Sequence, residues 1–287
     1  MKSQAIRPAT SADIGPICSL LHEHMDARFS PNRWRRLMTY RWLEDKPDFG
    51  RLAIVDGTPV GFVGMIYSDR IIGGRRHRIV NICAWCLKKA HRKAGFGIEL
   101  IRSAIADDSM SYTILTSSSR TPPLLDAVGY RMLDDDRRIW SAQGEPGRLE
   151  IEKDASRIST RIGSIARDML RDHEGLHVRP LLVADRTGTC FIVFTVAKKR
   201  DDVTYYDVLH LDNPAFFADR AQAIADSLLP RDKRAVLAAD TRLLQGHACD
   251  GTVERLLVPR YYKSNTLQPG QIDNMYSELQ LLDLKLD

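Results

Sequence analysis

The stretch "NICAWCLKKAHRKAGFGIELIRSA", Asn81 to Ala104, decides how this chain is read, because it carries two signals that lead to different chemistries. Cys83 and Cys86 have the spacing of a thiol or metal pair, whereas "RKAGFG" sets two glycines between an apolar run and a helical one. A zinc site needs four ligands, and no second Cys or His pair stands at comparable spacing nearby. Redox Cys-x-x-Cys pairs sit at helix N-termini, where the dipole lowers the thiol pKa. Here both cysteines fall inside a predicted strand, on which residues three apart point to opposite faces. The pair is therefore read as packing within a buried strand.

Arg92, Gly95 and Gly97 give the pattern R-x-x-G-x-G. The spacing alone is weak, and an ordinary strand-to-helix turn with solvated lysines would also satisfy it. Its context is more informative. The pattern follows a strand and opens a helix, so bare backbone N–H groups would face whatever lies over the helix N-terminus. An anion there gains from the helix dipole and from Arg92 and Lys93, with Lys88 and Lys89 close by. A diphosphate is the natural occupant. A dinucleotide-binding βαβ unit fits poorly, because G-x-G-x-x-G is absent and the preceding strands read as a meander.

Working outward, "TSADIGPICSLLHEHM" predicts a first helix, with Thr10 as N-cap and Ile14, Ile17, Leu20 and Leu21 at helical spacing. "PNRWRRLMTYRWL" predicts a second. Three antiparallel strands follow, turned at Asp56-Gly57 and Gly73-Gly74. "GFGIELIRSAIAD" is helical, "SYTILTS" is a strand, and "LLDAVGYRML" is a short helix closed by Gly129 before another strand. A strand, a helix and a strand in succession imply a crossover and a parallel pair. The first half is thus α/β with a mixed, mostly antiparallel sheet.

A chain of 287 residues fits two domains of roughly 140 residues each. The glycine- and proline-containing "SAQGEPGRLEIEKDA" places the boundary at 145/146, giving domains 1–145 and 146–287. "LAIVDGTPVGFVGMI" from Leu52 lies over "LLVADRTGTCFIVFT" from Leu181, with Asp56, Thr58 and Phe62 on Asp185, Thr187 and Phe191. A strand, an amphipathic helix and a strand then repeat the order of the first half, so duplication is the favoured explanation. The C-terminal "MYSELQLLDLKLD" is expected to be a closing strand.

Forty-two Lys and Arg against 37 Asp and Glu leave a net charge of +5 without a long basic tract, which argues against a nucleic-acid binder. No apolar run approaches the roughly 20 residues of a membrane span, and no leader is apparent, so a cytoplasmic location is expected. Five cysteines in such a chain are expected to be reduced.

Together, "AIRPATSADIGPICSLL", the hairpin "AIVDGTPVGFVGMI", a strand ending at Leu87 and "RKAGFGIELI" resemble the GNAT superfamily of acyl-CoA-dependent N-acyltransferases. The resemblance covers residues 4 to about 140 and includes that family's R/Q-x-x-G-x-G/A motif. It implies that Arg92, Lys93, Ala94, Gly95, Phe96, Gly97 and Ile98 cradle the CoA pyrophosphate. Backbone groups of Trp85, Cys86 and Leu87 would meet the pantetheine amides, and Ser117 and Ser118 would line the other side of a cleft between splayed parallel strands. The co-substrate would be acetyl-CoA or another acyl-CoA, the partner a small-molecule or peptide amine, and no metal is required.

The departures concern acid and base. Many GNAT enzymes carry a general-base Glu on the fourth strand, where this chain has Asn81, an amide that can orient a water but not take a proton. Where many carry a general-acid Tyr, this chain has Leu125. His77, His91, Tyr67 and Tyr112 lie within reach by sequence but read as structural or surface residues. The second half resembles a GNAT fold whose pyrophosphate motif is replaced by "HLDNPAFFADR", without glycine and with acids in place of bases. The reading is an N-acyltransferase in tandem arrangement with a degenerate second copy. The alternative is a non-catalytic acyl-CoA-binding or structural protein of the same fold.

Overall fold

A computed structural model describes residues 4–92, 95–118, 120–144, 147–232 and 234–286. In chain order the elements are β1 (Gln4–Pro8), α1 (Ile14–His24), α2 (Pro31–Arg35), β2 (Gly50–Val55), β3 (Thr58–Ile72), β4 (Arg75–Leu87), α3 (Phe96–Ala104), β5 (Ser111–Ile114), α4 (Pro122–Asp126) and β6 (Arg131–Ser141). There follow β7 (Glu150–Glu152), α5 (Ala155–Ser159), α6 (Ser164–Asp172), β8 (Arg179–Asp185), β9 (Gly188–Lys198), β10 (Thr204–Leu211), α7 (Pro214–Leu228), β11 (Ala235–Asp240), β12 (Thr252–Lys263) and α8 (Glu278–Leu281). The mixed α/β class expected from the sequence is the one observed.

The chain divides into two compact units, one of residues 1–132, 260–267 and 276–284, the other of residues 133–259, 268–275 and 285–287. The division differs from a boundary at 145/146. β6 pairs with β11 from Arg137↔Asp240 to Ser141↔Val236, which carries residues 133–141 into the second unit. The loop after it stays there too, since Gln143 and Gly144 donate backbone N–H groups to Asp226. Gly144 and Gly147 therefore fall inside that unit rather than in a linker. The C-terminal residues serve both units by turns, which a boundary drawn from local composition does not register.

In the first unit β1, β2, β3 and β4 form an antiparallel meander, β5 joins β4 in parallel, and Tyr261–Lys263 of β12 pair antiparallel with β5. Both expected hairpin dipeptides turn with positive φ at both residues, Asp56 and Gly57 at 49° and 76°, Gly73 and Gly74 at 57° and 78°. That is the turn whose twist matches a right-handed hairpin. α3 buries Phe96, Leu100, Ile101 and Ala104 against Val63, Met65, Val80 and Ile82 of the sheet. The expected second helix shortens to α2, because residues after it are drawn onto β3: Tyr40 accepts the Tyr67 N–H and Trp42 donates to the Tyr67 carbonyl. Tertiary hydrogen bonds there override helical spacing.

The second unit repeats the order of a meander, a helix and a parallel strand. β7, β8, β9 and β10 are antiparallel neighbours, and β11 lies parallel to β10 after the crossover through α7. Its own core gathers Leu181, Ile192, Phe194, Phe217, Ile224 and Leu237. The C-terminal run expected to be a strand instead forms α8, capped by Ser277, which accepts the Leu279 N–H. Ser277 and Gln280 form a reciprocal capping box, the S-x-x-Q signature of a helix start.

Candidate active site

The site in the first unit begins where β4 and β5 part. Their parallel register runs through Ile79↔Ser111 and Val80↔Tyr112 and ends at Asn81↔Thr113. On the β3 side, Gly64 faces Cys83 and Phe62 faces Cys86, so Ala84 and Trp85 together oppose a single residue. This is a β-bulge, with Ala84 at φ 48°. A bulge interrupts the ladder and re-aims backbone groups, which fits the expected role of Trp85, Cys86 and Leu87 in presenting backbone to a ligand.

The bulge also corrects the expectation that Cys83 and Cys86 point to opposite faces. Their partners on β3 are two residues apart, so the register sets both on one face. The packing reading nevertheless holds. Both thiols are buried, and burial pushes Cys86 up to about 11 and Cys83 well above the ordinary thiol range. At neutral pH neither is a thiolate, the form that attacks or binds metal. A Cβ at Gly64 would stand 2.9 Å from the Cys83 sulfur, so the glycine is what allows this close approach.

After the strand, Arg92 donates from Nε to the Leu87 carbonyl at 2.9 Å, tying the motif back to the strand end. Gly95 occupies the N-cap of α3 at φ 72°, a left-handed conformation that favours glycine, and no side chain caps the helix there. An uncapped N-terminus with a bare glycine leaves backbone donors for an anion. Among the described residues nothing lies within 4 Å of a Cβ built on Gly95, so the requirement is for backbone conformation. Lys93 and Ala94 lie outside the described residues.

A cavity of about 400 Å³ brings together Trp85, Cys86, Leu87, Arg92, Gly97 and Ser118 with His24, Met25, Arg120, Thr121 and Leu124. Met25 and Leu124 expose apolar surface, 46% and 41%. Of the other expected residues, Phe96 is buried in the core and can offer only its backbone, while Ile98 is half-buried. Neither these two nor Gly95 and Ser117 line the cavity. Ser118 shares a hydrogen bond with Thr121 at 2.8 Å.

Asn81 sits at the fork itself and is 3% exposed. Its Nδ2 donates to Thr113 at 3.2 Å and its Oδ1 accepts the backbone N–H of Glu278 at 3.2 Å. Glu278, at the start of α8, is the residue that sequence reasoning missed. Its carboxylate accepts the Thr116 hydroxyl at 2.6 Å, while its Oε2 is buried with no hydrogen-bond partner among the described residues. Burial raises its pKa to about 7, against the opposing pull of Thr116 and Asn81. The capping box in "SELQ" could have signalled the helix, but nothing local could show that it ends beside Asn81.

Of the remaining candidates, His91 is half-buried and ends the turn after β4. Tyr67 donates its hydroxyl to Asp48 and Tyr112 to the Asp107 carbonyl, both at 2.9 Å. His77 meets Thr266 at 3.4 Å on the surface. Leu125 is fully buried in the core. Among the described residues no group of His, Cys, Asp and Glu could hold a metal ion, and no helix is long and apolar enough to cross a membrane.

Comparison with known proteins places this geometry. Residues 18–110 match the family model of the GNAT acetyltransferases. Among solved structures, a GCN5-related N-acetyltransferase from Anabaena variabilis aligns over 91% of this chain and 72% of its own, with 14% identity and a TM-score of 0.57. One from Kribbella flavida aligns over 91% and 71%, with 13% identity and a TM-score of 0.58. A putative acetyltransferase from Pyrococcus horikoshii aligns over 95% and 92%, with 14% identity and a TM-score of 0.50. No curated protein matches in sequence. The family match over residues 18–110, the parallel strands that part after Asn81 and the glycine-opened helix identify a GNAT acetyltransferase-like region in the first unit, and the fold of the chain is that of GCN5-related N-acetyltransferases.

Proposed function

We propose that the protein is a cytoplasmic N-acyltransferase that moves an acyl group, acetyl in the simplest case, from acyl-CoA to the amine of a small molecule or peptide. The observation that carries this reading is the uncapped N-terminus of α3, opened by Gly95, beside a cavity lined by the end of β4 and by Ser118. Backbone donors and Arg92 there suit a pyrophosphate. The residues of the bulge, with Leu87, suit the pantetheine arm. Chemistry then consists of attack by the amine on the thioester carbonyl, with backbone N–H groups near the bulge stabilising the developing oxyanion.

The second unit, in this proposal, is a GNAT-like copy without the pyrophosphate motif, which supports the repeated order of β8, β9, β10, α7 and β11 as a duplication. Where α3 is uncapped, α7 is capped by its own Asn213, which accepts the Phe216 N–H, and begins with Pro214. Asp212 stands beside that cap, a poor neighbour for a phosphate.

A second reading, an acyl-CoA-binding protein without catalysis, is favoured by Asn81 and Leu125 at the positions of base and acid. Thermal unfolding with and without acetyl-CoA tests binding, since a ligand that binds the folded state raises its stability by mass action. Thiol release from acetyl-CoA across a panel of primary amines separates the readings. Release with some amine is expected, and tight binding without release from any would leave the non-catalytic one.

A further inference from the structure

The carboxyl of Glu278 is placed where the fork between β4 and β5 opens, although its helix begins far along the chain. Its backbone N–H is held by Asn81 on one arm and its Oε1 by Thr116 on the other. The residue is 2% exposed, yet Oε2 has no hydrogen-bond partner among the described residues. Leaving a buried acceptor unsatisfied is costly, so this carboxyl is poorly explained as a strut. Thr116, in contrast, is exposed and lies two residues before Ser118 of the cavity. With its proton directed at Glu278, its oxygen offers lone pairs to whatever enters the fork.

We propose that Glu278 accepts the proton of acyl transfer through the Thr116 hydroxyl, supplying from the C-terminal helix the base that Asn81 cannot be. This rests on the acyltransferase reading above. As the amine nitrogen bonds to the thioester carbonyl carbon, its N–H gives a proton to Thr116 Oγ1 and the Thr116 proton passes to Glu278 Oε1. The tetrahedral adduct then expels CoA, the C–S electron pair leaving on sulfur. The proton returns through Thr116 to the thiolate or to solvent, so amine and acyl-CoA become amide and free CoA with Glu278 restored. Asn81 positions the carboxyl by holding its backbone.

The surroundings suit a proton acceptor near neutrality. Burial sets Glu278 at about 7, close to the operating pH at which a base is most effective. Cys83 on β4 is a titratable neighbour that feels the Glu278 charge, and burial, the larger effect, keeps that thiol protonated. On the other elements packed around α8, Arg70 of β3 stacks over Tyr276, while Arg33 and Arg36 reach Leu282 and Asp283 at the far end. These arginines anchor the segment rather than pair with the carboxyl.

The test is the pH dependence of thiol release by the full chain, with acetyl-CoA and the best amine of the panel. The wild type is expected to show a limb near pH 7 in kcat/KM. Glu278→Gln should abolish that limb and lower kcat about 10²–10⁴-fold, the usual contribution of general-base catalysis, with the Kd for acetyl-CoA unchanged within about twofold. Thr116→Val should reproduce the loss and Thr116→Ser should restore the limb. Thermal unfolding checks that each variant is folded. A Glu278→Gln enzyme that releases thiol with the limb intact and kcat within a fewfold of wild type overturns the assignment alone. Absence of release by the wild type with any amine overturns the acyltransferase reading and this assignment with it.

Discussion

The two units each contain a parallel strand pair approached by a C-terminal segment, and the two are finished in opposite ways. In the first unit β4 and β5 share three register pairs before parting, and the segment that reaches them leaves the Glu278 Oε2 unsatisfied. In the second, β10 and β11 share five pairs, and Asn274 closes onto the Leu209 carbonyl. There Arg242 is fully engaged: it donates to Asp134 and Asp240 at 3.0 and 2.8 Å, to Asn274 at 2.6 Å and to the Ile272 carbonyl. A satisfied buried network specifies a fold. A buried carboxyl facing an exposed hydroxyl is instead poised to exchange a proton. The difference separates a region built to hold from one built to react.

The largest effect should come from breaking the satisfied network. Arg242→Met removes the guanidinium that Asp134 and Asp240 share and should cost about 3–5 kcal/mol of stability, measured by denaturant unfolding. Next comes the unsatisfied carboxyl, and here the sign is opposite. Because its folded pKa of about 7 lies above the ordinary carboxyl value of 4.5, the folded protein retains a proton that the unfolded chain has lost between these values. Stability contributed by Glu278 therefore falls as pH rises through that window. Glu278→Gln should remove this loss, on the order of 3 kcal/mol when unfolding at about pH 8 is compared with about pH 5. Equal pH dependence in the two proteins would show that the carboxyl is not held protonated.

Smaller changes test the helix ends. Gly95→Val forces a β-branched residue into a left-handed conformation at a cost of about 1–2 kcal/mol and should erase the thermal shift given by acetyl-CoA. Asn213→Ala removes the cap of α7 and should cost about 1 kcal/mol in unfolding free energy without changing the response to acetyl-CoA. An altered response would mean that the second unit shares in the cofactor site.

Features governed by neighbours in sequence were legible. Asp56-Gly57 and Gly73-Gly74 announced their hairpins, and the spacing of Ile98, Ile101 and Ala104 announced α3 after the glycine motif. Features governed by distant contacts were not. The positive φ of Ala84, which puts Cys83 and Cys86 on one face, arises from the register against β3 and has no local signature. Residues 36–43 carry helical spacing but bond to β3 instead. The glycines near residue 145 resembled a linker because composition does not reveal that Asp226 binds the loop. Asn81 falls on the fourth strand as its spacing implied, while its partner lies almost two hundred residues on and was hidden by an apolar run that resembled a strand.

The most direct measurement is a calorimetric titration of CoA into the wild type and the Gly95→Val variant. One site per chain is expected in the wild type and none in the variant, because the pyrophosphate is assigned to the helix opened by Gly95, which no side chain among the described residues caps. Two sites per chain, or one that survives the substitution, would contradict the assignment of the cofactor site to the first unit.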